Sequence, residues 1–528
     1  MDSPTALFLF SPAIVYGTHH FYPNYTILAT GFCASLIAVN FIFRVFVYPF
    51  VFSPFRHLPE PQGGSFPWAH ADFIRKQNNG EPFRTWINSV PNAGIIRYRV
   101  FLNQERLLLT SPEALKEILV TKNYDFIKPA QPAFIFRKIL GNGVLVAEGD
   151  EHKRQRKGLM PAFSFRHVKD LYPVFWAKGR QSTDMIVAAS QSNRTQSAYE
   201  WASRATLDII GLAGMGHDFD SLADPNTEIN KTYKRLFAGE PPYFFWGNIG
   251  VNAPFQILFS LPLPLMKLLR QSAETVKSIG FEMIRRKHLL VEKGQHGEVD
   301  ILSVAMDSGQ FSDEDLANQL MTFLAAGHET TASAMTWATY LLCKHPDIQA
   351  RLRAEVRAQL PSIRDAESSV TAIQVDHVSY LNAVCNEVLR LIPSVPMTRR
   401  DAVRDTELVG QHIPKGTNIT IPPWAINTSF ELWGEDALEF KPERWLGEGK
   451  ANSGGSNSNY AFLTFLHGPR SCIGKDFAKS EFMCLLAAWI GRFEVQFADP
   501  NTQKDIIGWV TVRPKHGLPV IFKEVDGW

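Results

Sequence analysis

Phe465-Leu466-His467-Gly468-Pro469-Arg470-Ser471-Cys472-Ile473-Gly474, followed by a helical run to Ile490, is the stretch that decides how this chain is read. A cysteine at the start of a helix sits among free N–H groups and the positive end of the dipole, which favour thiolate over thiol. Gly468 and Gly474 remove side chains where backbone has to approach a flat ligand. Arg470 offers a fork of donors for a carboxylate, and Phe465 can shield the sulfur from water. The pattern suits a thiolate bound to the metal of a flat, acidic macrocycle. The other cysteines, Cys33, Cys343, Cys385 and Cys484, bring the count to an odd five and form no CxxC pair. A disulfide framework and a zinc site are therefore not expected, and the bulk of the chain belongs in a reducing compartment.

Upstream of this loop, Ser312-Asp313-Glu314-Asp315 reads as a capping box that opens a long helix, and His345-Pro346 ends it. At 1.5 Å per residue that helix is about 45–50 Å long, enough to cross a domain. From Leu320 to Leu342 it is nearly all apolar or small, so it is buried on most sides. Its centre nevertheless reads Ala326-Gly327-His328-Glu329-Thr330-Thr331, a conflict with stability of the kind expected at a functional site. His328 is read as an accommodated helix residue and not as a ligand. In LNAVCNEVLRLIP, Glu387 and Arg390 share one helix face at i,i+3 spacing among apolar neighbours, which predicts a buried pair in need of further partners.

Together these segments resemble the cytochrome P-450 superfamily of haem-thiolate monooxygenases over about residues 50–525, with all core motifs in family order. Leu466 departs from the pattern, standing where a small or polar residue is more usual. The resemblance implies haem b (iron protoporphyrin IX), with Cys472 as axial ligand to the iron and Phe465, Gly468, Arg470 and Gly474 around it. It implies a Glu387–Arg390–Arg444 network that locks the fold, Arg444 coming from Phe440-Lys441-Pro442-Glu443-Arg444-Trp445. Thr330 and Glu329 would be the catalytic pair, one hydrogen-bonding dioxygen and the other relaying protons. His152, standing in for the family's Trp, would hold the propionates with Arg156 and Arg400; Arg399 is adjacent and easily mistaken for Arg400. By family position, Phe323, Ala326, Val395, Met397, Trp509 and Val510 line the substrate pocket. The segments HKRQRK, PAFSFRH and TRRDAV look like fungal microsomal members, which often tailor terpenoids, polyketides or alkaloids. No flavin or nicotinamide module is seen, so electrons are expected from NADPH through a separate cytochrome P-450 reductase, with Lys153, Arg154 and Lys157 on its docking face. The competing readings are a haem-thiolate isomerase or dehydratase, which should lack the Glu329-Thr330 pair, and a non-enzymatic haem sensor or membrane-bound interaction protein.

The fold class expected is mainly α with small β-sheets. Strands are predicted at 94–100, 106–110, 418–421, 493–497 and 518–522, and a helix starts after Ser111-Pro112. Residues 25–46 read as a transmembrane anchor, retained because no Lys or Arg precedes Arg44. Basic residues follow it, which places the C-terminal part in the cytosol, and the resemblance makes the membrane that of the endoplasmic reticulum. Residues 1–24 would be lumenal or interfacial, with apolar 5–16 lying at the membrane surface. Residues 47–64 would form a proline-rich hinge, and 65–528 one haem-binding domain with a surface loop at 451–459. Apolar 241–265 could dip into the bilayer and admit a lipophilic substrate. At 45% hydrophobic and 20% charged residues the composition is globular, and a net charge of +2 without a polybasic tract gives no support to nucleic-acid binding.

Overall fold

The computed structural model describes residues 15–16, 18–237, 259–293, 300–508 and 510–528. The expectations for 5–14, for most of 241–265 and for Trp509 lie outside them. The elements that position the site are helices α1 (Pro23–Phe52), α2 (Gly149–Leu159), α3 (Tyr172–Ser192), α4 (Ala198–Met215), α5 (Pro264–Glu292), α6 (Asp313–Lys344), α7 (Ser379–Leu391) and α8 (Lys475–Arg492). The strands are β1 (Ile95–Arg99), β2 (Glu105–Leu109), β3 (Phe126–Ile127), β4 (Gln196–Ser197), β5 (Thr398–Ala402), β6 (Asn418–Ile421), β7 (Phe493–Phe497) and β8 (Pro519–Glu524). Helix dominates and the sheets are small, as the sequence predicts.

Helix α6 begins on the expected capping box, Ser312 and Asp315 each bonding the other's backbone N–H, and ends at His345. It packs against α4, α5, α7 and α8 in the largest apolar core. Those neighbours satisfy the helix on nearly every side, which is why a sequence this apolar is stable there. The main sheet runs β1-β2-β6-β5-β3, with β2 and β6 parallel, Leu107 opposite Ile419. In β5, antiparallel to β6, Arg400 stands opposite Ile419. A second sheet, β4-β8-β7, closes over the ends of α3 and α4.

The N-terminal helix differs from expectation. It is apolar and long enough to cross a membrane, but it continues past 46 to Phe52, with the turns from Phe43 widened around Pro49, which has no N–H to donate. Its last turns are docked on the β1–β2 end of the domain. Arg97 donates to the Pro49 carbonyl at 2.7 Å and Asn103 to that of Val45 at 3.0 Å. Glu60 pairs with Arg99 at 2.6 Å, and the Arg97 N–H bonds the Pro59 carbonyl at 2.9 Å. The segment 47–64, expected as a hinge, is thus tied to β1 through the Pro49 and Pro59 carbonyls and the Glu60 carboxylate.

Candidate active site

Cys472 is the cysteine with an exposed side chain, although it lies deep among the surrounding elements. It therefore faces open space inside the domain. Its N–H bonds the Phe465 carbonyl at 2.9 Å, and a tight turn over Gly468–Arg470 closes the loop. Two expectations are corrected here. Helix α8 starts at Lys475 with Gly474 as N-cap, so Cys472 precedes the helix. Without a metal, burial pushes its thiol pKa up, opposed by the Gly474 N–H and then by Arg156. The helix terminus alone does not make the thiolate; a bound cation would have to.

Gly468 is required by the polypeptide itself: its φ is +75°, and a Cβ would stand 2.0 Å from the Leu119 carbonyl oxygen. At Gly474 a Cβ would touch only the Phe163 ring at 3.7 Å, so the protein leaves that position open. Leu466, the departure from pattern, has φ of 55° and packs on the core beside the main sheet. Its side chain is held by that core although a branched residue disfavours this backbone region.

On one side of the loop lies a cluster of cations. Arg470 sits against Glu148 and over the Tyr124 ring, with neither Nη1 nor Nη2 in a hydrogen bond. Lys128 reaches the same Glu148 at 3.8 Å, and its pKa falls to about 7, through burial first and then Arg400. Arg400 is buried, and its pKa drops to about 10 from burial and then Arg470. Arg399, pointing to the other face of β5, is influenced by Arg106 and Asp401 instead. His152 is buried, with Nδ1 3.2 Å from the Tyr124 hydroxyl; burial, then Arg470 and Lys128, lower it to about 4, so it is the neutral imidazole. Three cations share one carboxylate, and of the Arg470 guanidinium only Nε makes a hydrogen bond, to Asn123 at 3.2 Å. That donor set fits the acidic edge of a macrocycle. Arg156 stands beside it, near enough to influence His152, and bonds the carbonyl and hydroxyl of Ser471 in the Cys472 loop. Sequence reasoning misses Lys128 and Tyr124, since nothing local marks them.

Helix α6 is buried from Met321 to Ala325 and from Thr331 to Leu342, yet Ala326 is exposed and Gly327 and Thr330 are half-exposed. Ala326 and Thr330 share a face at i,i+4. The Thr330 hydroxyl donates to the Ala326 carbonyl at 2.7 Å, and its own carbonyl accepts from Ser394 at 2.7 Å. Glu329 is buried and turned into the wall. It accepts from the Tyr199 hydroxyl at 2.6 Å, Arg513 Nη1 at 3.1 Å and Thr511 at 3.3 Å. Burial still pushes its pKa up against those donors. His328 bonds Ser203 at 2.8 Å and is held neutral by burial, its pKa falling to about 3. Of the pocket candidates, Phe323 is buried against Phe163, Val395 and Met397 are half-buried, and Ala326 and Val510 are exposed.

The Glu387–Arg390 pair is wholly buried, with Arg390 Nη2 at 2.7 Å and Nε at 2.8 Å. Trp445 Nε1 at 2.8 Å and the Lys441 N–H at 3.0 Å complete Glu387, and Arg444 Nε stands 3.6 Å away.

The sequence model of the cytochrome P450 family matches residues 94–521. This chain belongs to the cytochrome P450 family. It is 46% identical over 516 residues to the cytochrome P450 monooxygenase sphH of Aspergillus fumigatus, covering 96% of this chain and 94% of that one. It is 39% identical to the monooxygenase ALT8 of Alternaria alternata, over 92% and 93% of the two chains. It is also 39% identical to the monooxygenase FSL4 of Gibberella zeae, over 92% and 90%. The chain is thus a haem-thiolate monooxygenase of a fungal type, an oxidoreductase, and an isomerase or dehydratase reading finds no support. Family membership implies haem-thiolate chemistry with dioxygen and NADPH, a reductase partner and a lipophilic substrate. The apolar helix α1 is consistent with a single membrane anchor.

Proposed function

We propose that this P450 inserts one oxygen atom of dioxygen into a lipophilic secondary metabolite, such as a terpenoid, polyketide or alkaloid. The observations that carry the reading are the exposure of Ala326, Gly327 and Thr330 on an otherwise buried α6 and the exposed side chain of Cys472. Cys472 would hold haem b through its iron; Arg470, Arg400, Lys128 and His152 suit its propionates, and Arg156 steadies the ligand loop. Bound there, the haem supplies dioxygen activation and oxygen insertion, which the thiolate donor favours. The chain's residues then handle water and protons. Thr330 presents a hydroxyl on that stretch of α6, and Glu329 is the nearest acid that can exchange protons beside it. Phe323, Ala326, Val395, Met397, Trp509 and Val510 would bound the substrate pocket.

Electrons would arrive from NADPH–cytochrome P450 reductase. Of the expected docking residues, Lys153 and Arg154 are balanced by Asp150, Glu151 and Asp315, which leaves exposed Lys157 as the stronger candidate. The anchor would hold the enzyme in the endoplasmic reticulum membrane, the domain facing the cytosol, by the basic residues after Phe43.

Cys472→Ser tests the central assignment. The reduced, carbon monoxide-bound protein should lose its thiolate-type absorbance while remaining folded; survival of that spectrum in the variant overturns it.

A further inference from the structure

A cleft of about 390 Å³ opens where the turn between α3 and β4 meets the first turns of α4, and it shares no residue with the site described above. Its walls include Asn193, Thr195, Gln196, Glu200, Trp201 and Arg204. Arg204 is only 6% exposed, and its guanidinium lies over the Trp201 ring, 4.3 Å from the centroid. One edge of that guanidinium is spent on the segment after α4: Nε donates to the Ser221 carbonyl at 2.6 Å and Nη2 to that of Leu222. Nη1 has no hydrogen-bond partner among the described residues, yet it is not sealed from solvent. Glu200, Asp208 and Asp224 are within electrostatic reach of Arg204, but none of them bonds it. Glu200 is taken by Lys234, Asp208 by the Ser221 and Leu222 N–H groups, and Asp224 by the Asn226 N–H.

The other polar groups of the cleft sort by what they have left to offer. Asn193 Oδ1 accepts from the Thr195 N–H at 3.1 Å, and Gln196 Oε1 from Trp201 Nε1 at 3.1 Å. Ser197, the N-cap of α4, accepts from the Glu200 N–H at 3.2 Å. The Ala198 and Tyr199 N–H groups are bonded by the Leu518 and Gly517 carbonyls, so the helix end adds its dipole but no free N–H. Asn193 Nδ2 and the Thr195 hydroxyl have no partner among the described residues. What remains is a set of donors, one of them on a cation held rigid by stacking and by two carbonyls. A flat carboxylate is best held by two parallel N–H groups, and that edge of Arg204 is already in use. A single Nη1 with two flanking side-chain donors suits a group whose oxygens point in several directions.

We infer that this cleft binds the phosphate group of a small molecule, with Arg204 Nη1 as the charged donor and Asn193 and Thr195 completing the set. The site stands apart from the haem-binding residues and does not depend on whether Thr330 and Glu329 serve oxygen chemistry.

The test is calorimetric titration of inorganic phosphate, and separately of glycerol phosphate, into the haem-loaded full chain in detergent, with sodium chloride holding the ionic strength constant. Expected is saturable binding of one phosphate group per chain. Asn193→Asp keeps the bond to the Thr195 N–H but puts a like charge in the cleft, and should weaken binding about tenfold while leaving the haem spectrum unchanged. Arg204→Lys, which loses Nη1, should weaken it as well; if that variant does not fold, Asn193→Asp carries the test alone, because Asn193 is exposed. Tighter binding of glycerol phosphate than of inorganic phosphate assigns the site to phosphorylated metabolites, and equal binding assigns it to phosphate itself. No saturable heat with either probe, or an affinity that Asn193→Asp leaves unchanged, overturns the inference.

Discussion

Glu387 and Glu329 are both buried carboxylates facing an arginine, yet they are assembled differently. Glu387 takes its arginine from one turn along its own helix, and a second helical segment supplies Trp445 and the Lys441 N–H. Arg390 is equally complete, also donating to the carbonyls of Asn427, Ala437 and Glu439. Glu329 draws Tyr199 from α4 and Thr511 and Arg513 from the C-terminal region. Its arginine is partly exposed, at 12%, where Arg390 is at 0%. The Glu387 network is centred on a pair from one helical turn, whereas that of Glu329 is gathered from α4 and the C-terminal region. Burial of a charge pair therefore says little about its role until its last donor is traced.

Glu387→Ala separates the two networks most strongly. It leaves Arg390 buried without its counter-ion, a loss of about 3–5 kcal/mol. Little haem-loaded protein should accumulate, and a normal yield measured by absorbance would remove Glu387 from the structural role.

The wall around Glu329 is tested by acid. His328, one residue earlier, is neutral when folded, with its pKa near 3, and ordinary when unfolded, near 6.5. Below pH 6.5 the unfolded chain therefore binds a proton that the folded one does not, and stability falls as pH falls towards 3. At pH 5 the loss is about 2 kcal/mol, and above pH 7 this residue contributes no slope. Denaturant unfolding of wild type against His328→Gln should show the acid slope shrinking in the variant. Equal slopes would mean that the ring is not held neutral.

Thr330→Ala should have the smallest effect on folding. It removes one hydroxyl from the half-exposed face of α6, and alanine is the better helix former. Haem content should stay near normal. With reductase, substrate and NADPH, more of the NADPH consumed should end as hydrogen peroxide and less as product. An unchanged ratio would leave Thr330 as a helix residue only.

Much of the fold is legible in short stretches of sequence. The capping box of α6, the Ser111 cap, the strands at 418–421 and 493–497 and the Glu387–Arg390 spacing are all written within a few residues of one another. Arg444, far along the chain, is reached only through the family pattern. That Arg156 also bonds Ser471, far along the chain, could not be read from its own segment. The expected end of the N-terminal helix at 46 differs for a related reason. Pro49 has no N–H to donate, and the Val45 carbonyl one turn back is bonded instead by Asn103, just after β1, so the helix continues.

The helical class, the apolar N-terminal helix, the thiolate loop and the conflict at the centre of α6 are set by the amino-acid sequence alone, because capping, periodicity and turn chemistry act over short spans. Which groups those elements meet is settled in three dimensions. Tyr199 and Glu329 are 130 positions apart, Arg513 and Glu329 184, and Arg156 and Ser471 315. Such pairings follow from how layers pack and from the demand that every buried charge and donor find a partner, and no local pattern encodes that demand.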